Sequence, residues 1–145
     1  VFICTKYFSN FILIIMITGE LKIKIYYEDT DSGGVVYYAN YLKFLERART
    51  EMISSLNLSN RKLLDEHKVL IIVKSCKIEY KKPLMLEDLI VVKSKIKSMS
   101  KSSFVMEQLI EKDGILASEA EVVLVTVNSS GKPVKIPDIL AKQLT

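Results

Sequence analysis

The feature that most constrains this chain is a single long stretch of helical periodicity, followed by segments that mostly have the pattern of strands. Between Tyr38 and Leu56, apolar residues recur every three or four positions, which predicts one amphipathic helix. Residues 61–67 predict a short second helix, and no other long helical period follows. A sheet in this protein therefore has one long helix available to cover one of its faces.

Five segments predict the strands of that sheet. In the first, residues 22–27, apolar and polar residues alternate, so that Ile23, Ile25 and Tyr27 share one face. Four segments rich in Val, Ile or alternating apolar positions follow the helix, at 69–80, 88–98, 102–112 and 115–128. The linkers between these segments are short, and Asp113-Gly114 is a typical hairpin turn, so we expect consecutive strands to pair antiparallel.

These elements predict an α+β fold in one domain. A chain of 145 residues, of which 49% are hydrophobic, is long enough to bury one core. We expect the domain to cover residues 18–145 and residues 1–17 to form an N-terminal extension. The apolar run at 8–17 is shorter than the roughly 20 residues of a membrane-spanning helix, so no integral membrane span is predicted. Pro133 and Pro137 follow the last strand, and the tail after Pro133 is expected to lie on the surface.

Composition argues against several classes of function. The formal net charge is only +4 and the lysines are spread along the chain, so no basic stripe for nucleic acid is present. Cys4 and Cys76 form no CxxC motif, which argues against a zinc site or a disulfide framework and favours a reducing compartment, the cytoplasm. His67, the only histidine, lies in the polar stretch 65–68, DEHK, where a surface position is expected. This argues against Ser/His/Asp and Cys/His triads, so we expect any hydrolysis to depend on carboxylates. We expect neither a metal ion nor a cofactor.

The loop between the first strand and the long helix carries the candidate chemistry. Residues 28–34, EDTDSGG, combine three carboxylates with two glycines and lead directly into the helix. A helix N-terminus presents unpaired N–H groups, so a carboxylate beside it lies next to groups that polarise a carbonyl, as acyl transfer requires. The alternative is that Asp29 and Asp31 only form turns and bond to the local backbone.

Residues 27–42, YEDTDSGGVVYYANYL, closely resemble the motif of the hydroxybenzoyl-CoA thioesterase family. The resemblance is closer still to the acyl-CoA thioesterases associated with the bacterial Tol-Pal system, and it continues without a gap through residues 43–51, KFLERARTE. The strand pattern extends it, less specifically, to about residue 128. The resemblance implies the hotdog fold, in which a single antiparallel sheet wraps around one long central helix.

The resemblance implies roles for two residues. In that family the second aspartate of the D-x-D loop is catalytic, and here it is Asp31, which either attacks the thioester carbonyl or activates water. The carbonyl-polarising donor of the family is a backbone N–H at the start of the helix, here that of Tyr38. The Tol-Pal-associated members usually have histidine at this position, and a phenol with a pKa of about 10 does not replace an imidazole as a base at neutral pH.

Five more residues of the same stretch are candidates for substrate binding: Gly33, Gly34, Val35, Asn40 and Glu46. The glycines would let the backbone turn and approach the substrate, and Asn40 would tie the loop to the helix, although ordinary turn and cap chemistry explains them equally well. Other hotdog thioesterases use a helix carboxylate, a role open to Glu46, which is otherwise a solvated charge. Outside the motif, the lysines at 93, 95 and 97 either form a solvated strand face or attract CoA phosphates.

The resulting prediction is an acyl-CoA thioesterase that releases a carboxylic acid and free CoA. The resemblance also implies a homodimer or homotetramer with sites between subunits, and acyl carrier protein stays open as a second partner. The alternative, which the missing motif histidine favours, is a non-catalytic module that binds acyl chains or acyl carrier protein in envelope lipid metabolism. A dehydratase is a weaker alternative, because dehydratases of this fold pair a histidine with a carboxylate and His67 lies past the long helix.

Overall fold

The structure is a computed structural model and describes residues 18–145. The chain runs through one strand, two helices, four strands and a final helix. In order, the elements are β1 (Thr18–Lys24), a 3-10 turn (Tyr27–Asp29), α1 (Asn40–Ser54), α2 (Asn60–His67), β2 (Leu70–Tyr80), β3 (Leu89–Met99), β4 (Ser103–Lys112), β5 (Ile115–Val127) and α3 (Asp138–Leu144). The predicted long helix and short helix are both present, with bounds within two residues of those expected.

The five strands form one antiparallel sheet in the order β1-β3-β4-β5-β2, which confirms the predicted α+β class. β3, β4 and β5 pair with their neighbours in sequence, as predicted. The predicted pairing of β2 with β3 is wrong, because β2 pairs with β5 and the free edge of β3 is taken by β1. The segment 81–88 is the cause: it makes no hairpin and bonds instead to Ile25, Val36 and Ala117, so it carries the chain past the end of the sheet.

Helix α1 packs along the inner face of the sheet. Its buried apolar residues recur at helical spacing: Tyr41, Phe44, Leu45, Ala48, Met52 and Ile53. Every second residue of β3 and β4 is buried on that inner face: Ile90, Val92, Ser94, Ile96, Phe104, Met106, Gln108 and Ile110. Full burial of one large apolar side chain contributes about 1.5–3 kcal/mol to the stability of the fold. This layer of contacts therefore holds α1 against the sheet and fixes where the helix N-terminus lies.

The structure corrects the predicted position of the first strand. β1 ends at Lys24, and Tyr27 is 81% exposed rather than on the inner face with Ile25. The strand ends there because the Tyr26 N–H donates to Asp29 Oδ2 at 2.9 Å, which closes the 3-10 turn. A side chain that accepts from the local backbone competes with the strand ladder for that N–H group.

The tail after Pro133 is also not a plain surface segment. It ends in α3, and its apolar residues at four-residue spacing, Ile136, Leu140 and Leu144, are all buried. Apolar residues four positions apart indicate one face of a helix. The two prolines argued for an irregular surface segment instead, and that interpretation is wrong. Pro137 is in fact the N-cap of α3, where the absence of an N–H group costs no hydrogen bond.

Two features of residues 18–145 bear on membrane insertion and on metal binding. Within residues 18–145, no helix is long and apolar enough to cross a membrane. The same part of the chain holds no cluster of His, Cys, Asp or Glu side chains that could bind a metal ion. The predicted extension at 1–17 and its apolar run at 8–17 lie outside the described residues.

Candidate active site

Asp29 shapes the loop between β1 and α1 from the inside. Its side chain is buried, and its carbonyl oxygen accepts hydrogen bonds from the Tyr37 N–H and from Asn40 Nδ2, both at 2.9 Å. Asn40 is itself buried in the first turn of α1. These bonds join the two ends of the loop, so Asn40 ties the loop to the helix and Asp29 has a structural role.

Asp31, two residues further on, is exposed. The Gly33 N–H donates to Asp31 Oδ1 at 2.8 Å, and the Gly34 N–H donates to the Asp31 carbonyl at 3.0 Å. A Cβ atom on Gly33 would lie 3.1 Å from Oδ1, and Gly34 has a φ of 80°, so both positions favour glycine. The turn therefore holds one carboxylate oxygen of Asp31, while no described residue donates a hydrogen bond to Oδ2.

The start of α1 has no side-chain cap. Ala39 is the N-cap residue, and the first turn contains no acidic residue. The N–H groups of Tyr37 and Asn40 donate to the carbonyls of Asp29 and Tyr37. The Tyr38 N–H lies between them and has no acceptor among the described residues, so the positive end of the helix presents an unpaired backbone donor.

Four tyrosines surround this end of the helix. The Tyr80 hydroxyl, at the end of β2, donates to the Tyr38 carbonyl at 2.9 Å, and the Tyr80 ring meets the Tyr41 ring edge-on with centroids 4.9 Å apart. The pKa of Tyr37 is raised by the adjoining Tyr38 phenol and, less strongly, by the Asp31 carboxylate, which lies close to the cluster. Burial raises the pKa of both Tyr41 and Tyr80. The phenols of Tyr37, Tyr41 and Tyr80 therefore stay protonated at neutral pH, and that of Tyr80 is the one that donates to the Tyr38 carbonyl.

The site thus combines an exposed carboxylate, Asp31, with an unpaired amide donor, Tyr38. A carboxylate can attack a carbonyl carbon or take a proton from water, and a fixed N–H group stabilises the oxyanion that develops. This pairing is suited to hydrolysis of an activated acyl group.

The model of the thioesterase-like superfamily matches residues 26–144, a range that includes the whole of this site. The chain belongs to the thioesterase-like superfamily. Among its relatives in this superfamily, the acyl-CoA thioesterase YbgC of Haemophilus influenzae is 38% identical over 119 residues, which cover 81% of this chain and 88% of the relative. The acyl-CoA thioester hydrolase YbgC of Escherichia coli O6:H1 is 41% identical over 107 residues, which cover 73% and 79%.

Solved structures agree with this membership. The crystal structure of a probable thioesterase from Bartonella henselae superposes with a TM-score of 0.81 at 29% sequence identity, covering 83% of this chain and 100% of that one. The predicted resemblance to hotdog thioesterases and the predicted hotdog fold are therefore both confirmed.

The thioesterase-like fold brings together six of the seven predicted site residues. They lie in the loop and at the start of α1: Asp31, Gly33, Gly34, Val35, Tyr38 and Asn40. Val35 is half-buried and forms an isolated backbone bridge with Met85. Glu46 lies apart from the others, six residues after Asn40 and about 9 Å further along the helix axis. Its Oε1 accepts from Thr50 Oγ1 at 2.6 Å, and it borders a separate cavity.

The lysines at 93, 95 and 97 lie on the outer face of the sheet. Each forms an ion pair with a glutamate of another strand: Lys93 with Glu111 at 2.7 Å, Lys95 with Glu107 at 2.8 Å and Lys97 with Glu121 at 2.6 Å. Because each charge already has a partner, the arrangement favours a solvated strand face over a phosphate site. His67, in the last turn of α2, is exposed and belongs to a different part of the fold from the loop.

Tyr80 is the site residue that the sequence did not reveal. It lies 42 residues from Tyr38, to which it donates its hydroxyl hydrogen, so no local pattern links the two. Its position at the end of a predicted strand was the only available signal. The contact depends on β2 lying at the edge of the sheet next to the start of α1.

Proposed function

We propose that this protein hydrolyses acyl-CoA thioesters to a carboxylic acid and free CoA, with the Asp31 carboxylate as the reactive group. The observation that carries the proposal is the exposed Asp31 carboxylate beside an uncapped helix N-terminus whose Tyr38 N–H has no acceptor among the described residues. Membership of the thioesterase-like superfamily and the YbgC relatives support the same class of reaction.

The loop distinguishes its two aspartates. Asp29 is 5% exposed and its Oδ2 is bonded to the Tyr26 N–H, so it is neither accessible to a substrate nor free to move. Asp31 is exposed and has one carboxylate oxygen without a donor among the described residues. We therefore assign the chemistry to Asp31 and the shape of the loop to Asp29.

Two routes are compatible with this geometry. If Asp31 is the nucleophile, its oxygen bonds to the thioester carbon, the C–S bond breaks as CoA leaves, and water then cleaves the resulting anhydride. If Asp31 is a general base, it removes a proton from the attacking water and the departing thiolate takes up a proton. In both routes the Tyr38 N–H stabilises the oxyanion, and loss of one such donor typically costs about 10²–10³ in kcat.

The other candidate residues act on the position of these two groups. Gly33 and Gly34 allow the tight turn that holds Asp31 Oδ1, and Asn40 fixes the loop against α1. The Tyr38 side chain does not supply the base that a histidine would, because a phenol is a poor proton acceptor near neutral pH. Val35 borders the turn, and we propose that it contacts the substrate together with the two glycines.

We also propose that the protein works as a homodimer or homotetramer. β2 is an edge strand of 11 residues, and its exposed residues include Leu70, Ile72 and Val73. A long apolar edge is normally covered, and two copies related by a two-fold axis could pair their β2 edges. Tyr80 belongs to this edge and touches the site, so the partner would approach the bound thioester. The mass in solution by light scattering would test this, and a monomer would refute it.

The compartment we propose is the cytoplasm. Cys76 is an exposed free thiol, as is usual where glutathione keeps cysteines reduced. Detection of the protein in the soluble cytoplasmic fraction of cells would support this location, and its recovery from a secreted fraction would contradict it.

The second candidate function is a non-catalytic module that binds acyl groups or acyl carrier protein. Tyr38 in place of the usual motif histidine is the observation that favours it. The deciding experiment measures release of free thiol from short-chain, long-chain and aromatic acyl-CoAs and from an acylated carrier protein. The enzyme is expected to turn over at least one of them, and Asp31→Asn is expected to bind that substrate without hydrolysing it. Binding without turnover by the wild type would establish the module instead.

A further inference from the structure

A cavity lies beside the C-terminal half of α1, away from the Asp31 loop. It has a volume of about 150 Å³, which is the size of an apolar cavity that holds a small hydrocarbon group. Its walls come from α1, the inner face of the sheet and α3. Six of the residues that line it are Ile71, Val73, Phe104, Met106, Leu140 and Leu144.

The polar groups near this cavity are mostly satisfied within the protein. Arg49 Nη1 donates to Gln108 Oε1 at 2.9 Å, and Gln108 Nε2 donates to Ser94 Oγ at 2.8 Å and to the Leu45 carbonyl at 3.0 Å. Among the described residues, the one buried side-chain polar atom without a partner is Ser118 Oγ, and it does not line the cavity. Four polar residues, Glu46, Arg49, Thr50 and Asn60, also line the cavity, and the ten other lining residues are apolar, so most of its wall favours an apolar ligand.

One face of α1 runs from the end of the helix near the Asp31 loop toward this cavity. Leu42, which is 45% exposed, is followed on that face by Glu46, Arg49 and Ile53, at spacings of four, seven and eleven residues. The latter three line the cavity. From Asn40 to Glu46 the helix rises about 9 Å. An extended alkyl chain advances roughly 1.25 Å per carbon–carbon bond, so about seven bonds cover that distance.

We propose that this cavity binds the distal part of the substrate's acyl chain, so that the enzyme prefers straight aliphatic chains of more than about eight carbons. The inference rests on the proposed thioesterase function and names its substrate class. The thioester lies at Asp31 and Tyr38, the first carbons follow Leu42, and the chain end enters between the sheet and α3. Leu140 and Leu144 close the far end, so α3 limits the length of chain that fits.

The first test is the dependence of kcat/KM on chain length for butanoyl-, octanoyl-, dodecanoyl- and hexadecanoyl-CoA. Each methylene of the acyl chain that becomes fully buried raises the affinity about fourfold. We expect little change from butanoyl to octanoyl and a rise of at least about tenfold from octanoyl to dodecanoyl. Turnover of butanoyl-CoA with no rise for longer chains would overturn the inference while leaving the thioesterase intact. No turnover of any thioester would instead refute the proposed function and, with it, this inference.

A pair of variants on one strand locates the effect. Val73 lines the cavity, whereas Ile72 points to the opposite face of β2. Both lie on the β2 edge that we propose pairs in the dimer, so an effect of phenylalanine on assembly would be shared by the two variants and would not depend on chain length. Val73→Phe is expected to lower kcat/KM for dodecanoyl-CoA at least about tenfold and to leave that for butanoyl-CoA within about twofold, because four buried methylenes are displaced. Ile72→Phe should change kcat/KM for the two substrates by the same factor, because its side chain lies outside the cavity. Equal losses in both variants, or losses at every chain length, would contradict the proposal.

A third test distinguishes the acyl chain from the apolar residues 8–17 as the occupant of the cavity. Gly19, near the start of β1, lies against the Met52 side chain, which lines the cavity. If that segment filled the cavity, a chain beginning at Met16 would gain dodecanoyl-CoA activity, and Val73→Phe would have no selective effect in the full chain. That result would overturn the proposal, and equal chain-length profiles for both chains would support it.

Discussion

Tyr80→Phe tests how the proposed oxyanion donor is held in place. The Tyr80 hydroxyl donates to the Tyr38 carbonyl at 2.9 Å, and phenylalanine removes that bond while keeping the ring that packs against Tyr41 at 4.9 Å. A hydrogen bond of this kind contributes about 0.5–1.5 kcal/mol. If all of that free energy serves to fix the Tyr38 amide in the transition state, kcat falls about 2- to 13-fold, since about 1.36 kcal/mol corresponds to a factor of ten.

The assay is steady-state release of free thiol, with kcat and KM determined separately. A positioning role lowers kcat and leaves KM nearly unchanged, because the bond supports the oxyanion donor rather than ground-state binding. Tyr27→Phe is the matched control: Tyr27 is 81% exposed and its hydroxyl has no hydrogen-bond partner among the described residues. An unchanged kcat in Tyr80→Phe would refute the reasoning, and so would an equal loss in the Tyr27 control.

Two further predictions concern the backbone and the pH dependence of stability. Gly34 and Gly114 both have positive φ, 80° and 74°, and no other residue lies within 4 Å of the position that a Cβ would take. Alanine at either position should therefore lower the free energy of unfolding, measured in urea, by roughly 1–2 kcal/mol because of backbone strain alone. Only Gly34→Ala should also lower turnover, because it adjoins Asp31; equal turnover in the two variants would contradict the role of the loop. Burial alone would raise the pKa of Asp88, but hydrogen bonds from Lys112 and the Met85 N–H outweigh it and the pKa is lowered. The stability that Asp88 contributes is therefore present above its unfolded pKa of about 3.9 and is lost as pH falls through the lower folded value. The difference in unfolding free energy between wild type and Asp88→Asn should therefore shrink between about pH 5 and pH 2. A constant difference across that range would show that the ion pair does not contribute.

The fold was largely predictable because its elements have strong local signals. Residues 38–56 and the four segments after them differ clearly in period, and each became the helix or strand expected. The pairing of β2 was not predictable in the same way. It depends on where the segment 81–88 bonds to Ile25, Val36 and Ala117, and those contacts join residues far apart in sequence.

The candidate site shows the same division. The loop from Asp29 to Gly34 is continuous in sequence, so its carboxylates, its glycines and the helix that follows could be recognised together. Tyr80 and the cavity under α3 could not, because they form only when distant strands and the C-terminal helix pack on α1. The alternation of exposed and buried residues identified the faces of the strands, but it did not identify which face would enclose a ligand.

The measurement that tests the account most directly is the ratio of kcat values for Asp31→Asn and Glu28→Gln on the best acyl-CoA substrate. Both residues are exposed carboxylates of the same loop, and both substitutions remove one negative charge. We predict that Asp31→Asn lowers kcat by about 10²–10⁴, as loss of a general base or nucleophile does, while Glu28→Gln stays within about twofold of wild type. Similar kcat values for the two variants would contradict the assignment of the chemistry to Asp31.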